Sequence, residues 1–214
     1  LRFNEYWIGP AQLALTAALA RSARDIPGEA VEVGTWQGLS AIPIARAVAP
    51  ASLHVVDHWQ GDVTEAGSIG IDPALIDRDN YGIFLSNLHD ARITNVEIHR
   101  MGWREFIAGW DRPLRFVHID ASHTEDEVAE NIGAFLPYAS EGAVFCGDDY
   151  GFPQVAAGVH RVFPAVNSSE NKLWWKVIGD DSETFAWPPH YHPLSSSHAY
   201  QSDLMDIREM YVLK

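Results

Sequence analysis

The sequence is poor in three things, and each absence narrows its chemistry. There is a single cysteine, Cys146, inside an apolar run, so no disulfide forms within the chain and a reducing cytoplasm is the expected home. Long hydrophobic runs are missing: no stretch approaches the roughly 20 apolar residues of a membrane span, and no signal-peptide pattern opens the chain. Positive charge is scarce. Fifteen Lys and Arg stand against 29 Asp and Glu, a formal charge of −14 that repels phosphate backbones and anionic lipids. Nucleic acid and membrane are therefore excluded as expected partners. The 214 residues suit one domain with its own core. Tryptophan and histidine are plentiful, at eight and ten, and most of the tryptophans are expected in the core.

Short apolar runs alternate with helical patterns. Strands are predicted at 29–34, 52–57, 93–99, 114–120 and 142–149, and helices at 39–48, about 79–90, 103–109, 123–136 and 154–163. A further helix over 11–25 precedes the first strand and stops at Pro27-Gly28. This alternation implies an α/β fold, a doubly wound, Rossmann-like, mostly parallel sheet. "KLWWKVI" (172–178), the turn "GDDS" and "ETFAW" (183–187) read as an antiparallel C-terminal edge hairpin. The predicted organisation is a helical cover (1–28), a core (29–187) and a Pro-, Ser- and His-rich loop and tail (188–214) that serves as a lid.

"EVGTWQGLS" (32–40) joins the first strand to the next helix. Gly34 and Gly38 let the backbone approach a ligand, and Ser40 is placed to cap the helix, with Pro43 in its first turn. Asp57, at the end of the second strand, is placed to hold ribose hydroxyls. The loop lacks the glycines of a pyrophosphate site, with Thr35 and Trp36 in their place, and Glu32 adds a carboxylate that a pyrophosphate would not tolerate. A cofactor with sulfonium and ammonium groups favours such a neighbour. A nicotinamide-dependent oxidoreductase on the same sheet is the alternative.

Asp120 ends the fourth strand, and Asp148 and Asp149 end the fifth. In doubly wound order these strands lie side by side, about 4.8 Å apart, so their carboxylates can converge on a cation. Oxygen ligands suit Mg²⁺, with Ca²⁺ or Mn²⁺ as further choices. Capping of the helices that follow is the other use of the same aspartates. His123, at the expected start of the next helix, is a candidate general base. His99 and His118 fall inside strands and read as structural. His190, His192 and His198 fall in the tail.

Four stretches, "VEVGTWQGLSAIPIA", "HVVDHWQGD", "FVHIDASHTEDEVAENI" and "GAVFCGDDYGFPQVAAGV", resemble the class I S-adenosylmethionine-dependent methyltransferases. Within them the chain is similar to the branch that includes macrocin-type sugar O-methyltransferases. The resemblance implies that Glu32, Gly34 and Gly38, with Thr35 and Ser40 in the same turn, hold the methionine end of S-adenosylmethionine, and that Asp57 takes the ribose. Relatives carry an acid after the third strand. Here "HRMGWRE" lacks it, and Trp103 is expected to stack on the adenine instead. The resemblance also implies that Asp120, Asp148 and Asp149 hold the metal, with Asp120 touching cofactor and catalysis too. Ser122 stands where relatives have a second acid, so His123 is expected to take over as base. A small-molecule hydroxyl acceptor, a sugar or a catechol-like phenol, and a possible homo-oligomer complete the expectations. A non-catalytic module that keeps the fold is the remaining alternative.

Overall fold

The computed structural model describes residues 1–3, 7–61, 72–169 and 172–179. Seven strands, β1 (Glu29–Val33), β2 (Leu53–Val56), β3 (Val96–His99), β4 (Leu114–Ile119), β5 (Ala139–Gly147), β6 (Asn167–Ser169) and β7 (Leu173–Val177), form one sheet in the order β3-β2-β1-β4-β5-β7-β6. The first five are parallel; β7 runs antiparallel to β5 and to β6. Strand order reverses between β1 and β4, and the crevice at their carboxyl ends is where an open α/β sheet binds its ligand.

Helices cover both faces. The helices α1 (Pro10–Ser22), α2 (Ala41–Val48) and α3 (Asn80–Asp90) pack with Ala30, Leu53, Val55, Phe116 and Cys146 on one side. On the other lie α4 (Trp103–Ala108), α5 (Glu125–Phe135) and α6 (Pro153–Val162), against Val31, Val33, Val117, Ile119 and Phe145. Neighbours such as Ala30 and Val31 enter opposite cores because strand side chains alternate faces. A sheet buried on both sides needs nearly continuous apolar strands, as in "LRFVHI", where all six residues are buried.

The C-terminal edge of the sheet is antiparallel, as expected from sequence. Among the described residues Leu173–Val177 pairs with β5 on one side and with the preceding Asn167–Ser169 on the other, and the Lys172 N–H donates to the Ser169 carbonyl. The predicted strand 183–187 and the tail 188–214, with His190, His192 and His198, lie outside the described residues. The first helix is built into the core: residues 12–20 are all buried. Four tryptophans, Trp59, Trp110, Trp174 and Trp175, are core residues, while Trp7 is 52% exposed. No described helix is long and apolar enough to cross a membrane.

Candidate active site

The turn after β1 is held from several sides. Gly34 has φ +81°, and a Cβ there would stand 2.0 Å from the Asp120 carbonyl oxygen, so only glycine lets the ends of β1 and β4 meet. Trp36 is held at φ +48° and Gly38 at +86°. The Asp57 carboxylate fixes this shape: Oδ2 accepts the Thr35 and Trp36 N–H groups at 3.0 and 2.9 Å, and Oδ1 accepts the Trp59 N–H at 2.6 Å. Oδ1 thus keeps an acceptor position that Oδ2 has used. Trp59 Nε1 donates to the Trp36 carbonyl at 2.6 Å, and Asn87 Nδ2 to that of Gln37 at 3.0 Å.

Glu32 sits beneath the turn, wholly buried. Its Oε2 accepts the Thr35 hydroxyl at 2.6 Å, and its Oε1 lies 3.1 Å from His118 Nδ1. Burial pulls the His118 pKa down, but the hydrogen bond and charge of Glu32, with Asp120 and Asp148 beyond, leave it raised on balance. A buried charge requires such a partner, and Glu32 with His118 forms the floor that supports the loop. Ser40 occupies the N-cap position of α2, yet it is in helical conformation and its side chain makes no capping hydrogen bond. Trp103 opens α4; its Nε1 donates to Glu127 at 3.3 Å, and the Arg104 guanidinium lies 4.3 Å from its ring centre.

Across the crevice, Asp120, Ser122, His123, Asp148, Asp149 and Trp174 line one pocket at the ends of β4 and β5. Asp120, His123 and Asp149 each offer a ligand atom, all within 4.8 Å of one another. Asp148 lines the same pocket but falls outside this trio, and its Oδ1 accepts Gln12 Nε2 of α1 at 3.0 Å. The pocket brings together all three aspartates expected from sequence, with His123 beside them; Asp120, His123 and Asp149 form its tightest trio of ligand atoms among the described residues. The helical expectation for His123 needs correction. Thr124 is the N-cap of α5, its hydroxyl accepting Glu127 N–H, so His123 lies before the helix. Its orienting partner is Asp149, whose Oδ2 lies 2.8 Å from His123 Nε2. Neither Asp148 nor Asp149 caps α6, whose N-cap is Phe152.

The pocket is electrostatically strained. Burial, then the charges of Asp149 and Asp148, push the Asp120 carboxyl up to about 8. Asp148 is raised to about 6 by burial and by Asp149. Asp149 takes φ +59°, a left-handed conformation uncommon outside glycine and found at ligand sites. Such a group of carboxylates calls for a proton or a cation. Sequence reasoning missed Gln12, Trp59 and Asn87, whose partners are remote in the chain; only their polar or amphipathic character could have marked them.

Solved structures with this fold include the O-methyltransferase NovP (20% identity over 80% of this chain and 81% of that one, TM-score 0.62). The calicheamicin methyltransferase CalS11 matches at 16% identity, 78% and 79% coverage and TM-score 0.62. TomG, an O-methyltransferase from Streptomyces achromogenes involved in tomaymycin synthesis and solved with S-adenosylmethionine, matches at 19%, 83% and 84%, and 0.60. At these identities the likeness is one of fold. The sequence carries more: a family described as a methyltransferase domain matches residues 31–150, from within β1, through the glycine turn and Asp57, to the acidic pair after β5. The match therefore spans the crevice from one wall to the other, and the chain belongs to this methyltransferase family.

Proposed function

We propose that this protein is an S-adenosylmethionine-dependent O-methyltransferase, metal-assisted, that methylates a hydroxyl of a sugar or another small-molecule natural product. The observation that carries this reading is the Asp120, His123 and Asp149 cluster, set beside the strained turn at Gly34. Family membership leaves the nicotinamide-dependent alternative without support.

The turn over 34–38 and Oδ1 of Asp57 would hold the methionine and ribose parts of the cofactor, with Glu32 supporting the turn from below. The acceptor hydroxyl would enter from the side of Asp120 and His123. With Nε2–H donated to Asp149, the basic lone pair of His123 lies on Nδ1, which takes the hydroxyl proton. The oxygen forms a bond to the methyl carbon as the carbon–sulfur bond breaks, and sulfur keeps the electron pair. Asp149 orients the imidazole and stabilises its charged form. Asp120 and Asp149 fit a hard divalent cation such as Mg²⁺ by donor chemistry and spacing; when bound, it supplies Lewis acidity that lowers the hydroxyl's pKa.

A second arrangement has His123 as a third ligand, favoured by the closeness of its ring nitrogen to both carboxylates. The sugar acceptor rests on the sequence resemblance and on CalS11, described as a TDP-rhamnose 3′-O-methyltransferase. The test is transfer of labelled methyl from S-adenosylmethionine to nucleotide sugars and catechols, with and without chelator. Transfer to oxygen, abolished by chelator and restored by Mg²⁺, is expected. Full transfer in excess chelator would remove the metal from the reading, and transfer only to nitrogen or carbon would remove the hydroxyl acceptor.

A further inference from the structure

A second cluster lies on the α4 face of the sheet, at its β3 edge, and plays no part in the chemistry above. Parallel register sets His54 of β2 beside Glu97 of β3, and the alternation of a strand returns His99 to the face of Glu97. His54 Nδ1 consequently lies 3.0 Å from His99 Nε2 and 3.5 Å from Glu97 Oε2. One ligand atom from each residue falls within 4.8 Å of the others. Around a tetrahedral ion with bonds of about 2.0–2.1 Å, ligand atoms stand roughly 3.3–3.4 Å apart. The two distances to His54 bracket that value.

The surroundings suit an ion as well. His54 is fully buried, edge-on to Trp110 at 5.1 Å, and His99 lies 4.7 Å from Phe106, so two imidazoles are set in an apolar wall. Glu97 is 53% exposed on the edge strand and leaves an entry path from solvent. Glu29 Oε2 stands 3.8 Å from His54 Nε2, on the side where a metal-bound imidazole presents its other nitrogen to a carboxylate. Arg112 Nη2 is 3.5 Å from the same nitrogen, but Arg112 is also held by Glu29 at 3.2 Å and stacked on Trp110.

We propose that His54, Glu97 and His99 bind a borderline transition-metal ion, Zn²⁺ above all, at a site separate from the carboxylate cluster. Two nitrogens and one oxygen favour Zn²⁺ over Mg²⁺, which demands oxygen ligands. The ion clips β2 to β3 where the His99 carbonyl accepts the Asp57 N–H at 3.2 Å, one hydrogen bond from the residue that shapes the cofactor turn. Without an ion the same atoms form a His–His hydrogen bond, so the two states differ in a measurable way.

The test titrates Zn²⁺ by calorimetry into the chelator-stripped full chain in excess Mg²⁺, for wild type and for Asp149→Asn, which disables the acidic cluster. Both should bind an equivalent of Zn²⁺ that His99→Gln loses or weakens by at least about tenfold. Glu97→Gln, on the exposed side, guards against misfolding of the histidine variant and should weaken the same equivalent. Zn²⁺ should raise Tm in wild type and not in His99→Gln. Absence of Zn²⁺ binding in wild type, loss of it in Asp149→Asn, or unchanged affinity and stoichiometry in both His99→Gln and Glu97→Gln would each overturn the proposal.

Discussion

Asp57 and His123 are where residue chemistry meets function most directly. Asp57 accepts three backbone N–H groups and has acceptor capacity left on Oδ1. Asp57→Ala should therefore lose both loop shape and a ribose contact. Calorimetry is expected to show S-adenosylmethionine binding weakened by about 1.5–3 kcal/mol, the scale of charged hydrogen bonds, on a folded variant that is itself less stable. Unchanged affinity would confine Asp57 to holding the loop. For His123, the base role makes His123→Ala cost roughly 10²–10⁴-fold in turnover with little change in cofactor affinity. A loss of Mg²⁺ affinity in that variant would instead identify the histidine as a ligand. The acidic residues at the strand ends were legible in sequence because their types and positions suffice. The Asp149–His123 pairing and the Gln12–Asp148 contact were not, since they depend on loop paths that bring distant residues together.

Among the elements, the turn between β1 and α2 bears the tightest constraint. Gly34→Ala drives a methyl group into the Asp120 carbonyl at a φ that L-residues avoid. The expected cost is about 1–3 kcal/mol or more, read as a fall in urea midpoint, with the β1 and β4 ends forced apart. Wild-type stability in Gly34→Ala would mean that the strand ends are not in contact. Strand and helix positions were largely readable because apolar alternation and helical period are local signals. Boundaries were less so. The α5 start shifts past His123 because Thr124 supplies the side-chain cap, and β6, only three residues long, carries no alternation to read.

At the scale of the whole molecule, two carboxyls at the strand ends and one buried histidine carry the pH dependence of folding. Asp120, with its carboxyl pushed from 3.8 to about 8, and Asp148, at about 6, bind protons in the folded state over pH ranges where the unfolded chain has released them. Folding stability from these groups is therefore present at low pH and lost as pH rises through those values. His118, raised by Glu32, has the same sign: its contribution falls as pH rises through its folded pKa. Between about pH 7 and 9, above the range of ordinary carboxylates and imidazoles, the Tm of chelator-stripped protein should fall, and Mg²⁺ should flatten that slope. A slope indifferent to Mg²⁺ would argue that no hard cation relieves the pocket.

All of this depends on the crevice between β1 and β4 taking a sulfonium cofactor rather than a dinucleotide. Calorimetric titration of the intact chain with S-adenosylmethionine, S-adenosylhomocysteine and NAD⁺ tests that directly and requires no knowledge of the acceptor. The expected result is saturable binding of both sulfur compounds, weakened by Asp57→Ala, with no heat from NAD⁺. Binding of NAD⁺ with none of S-adenosylmethionine or S-adenosylhomocysteine would contradict it.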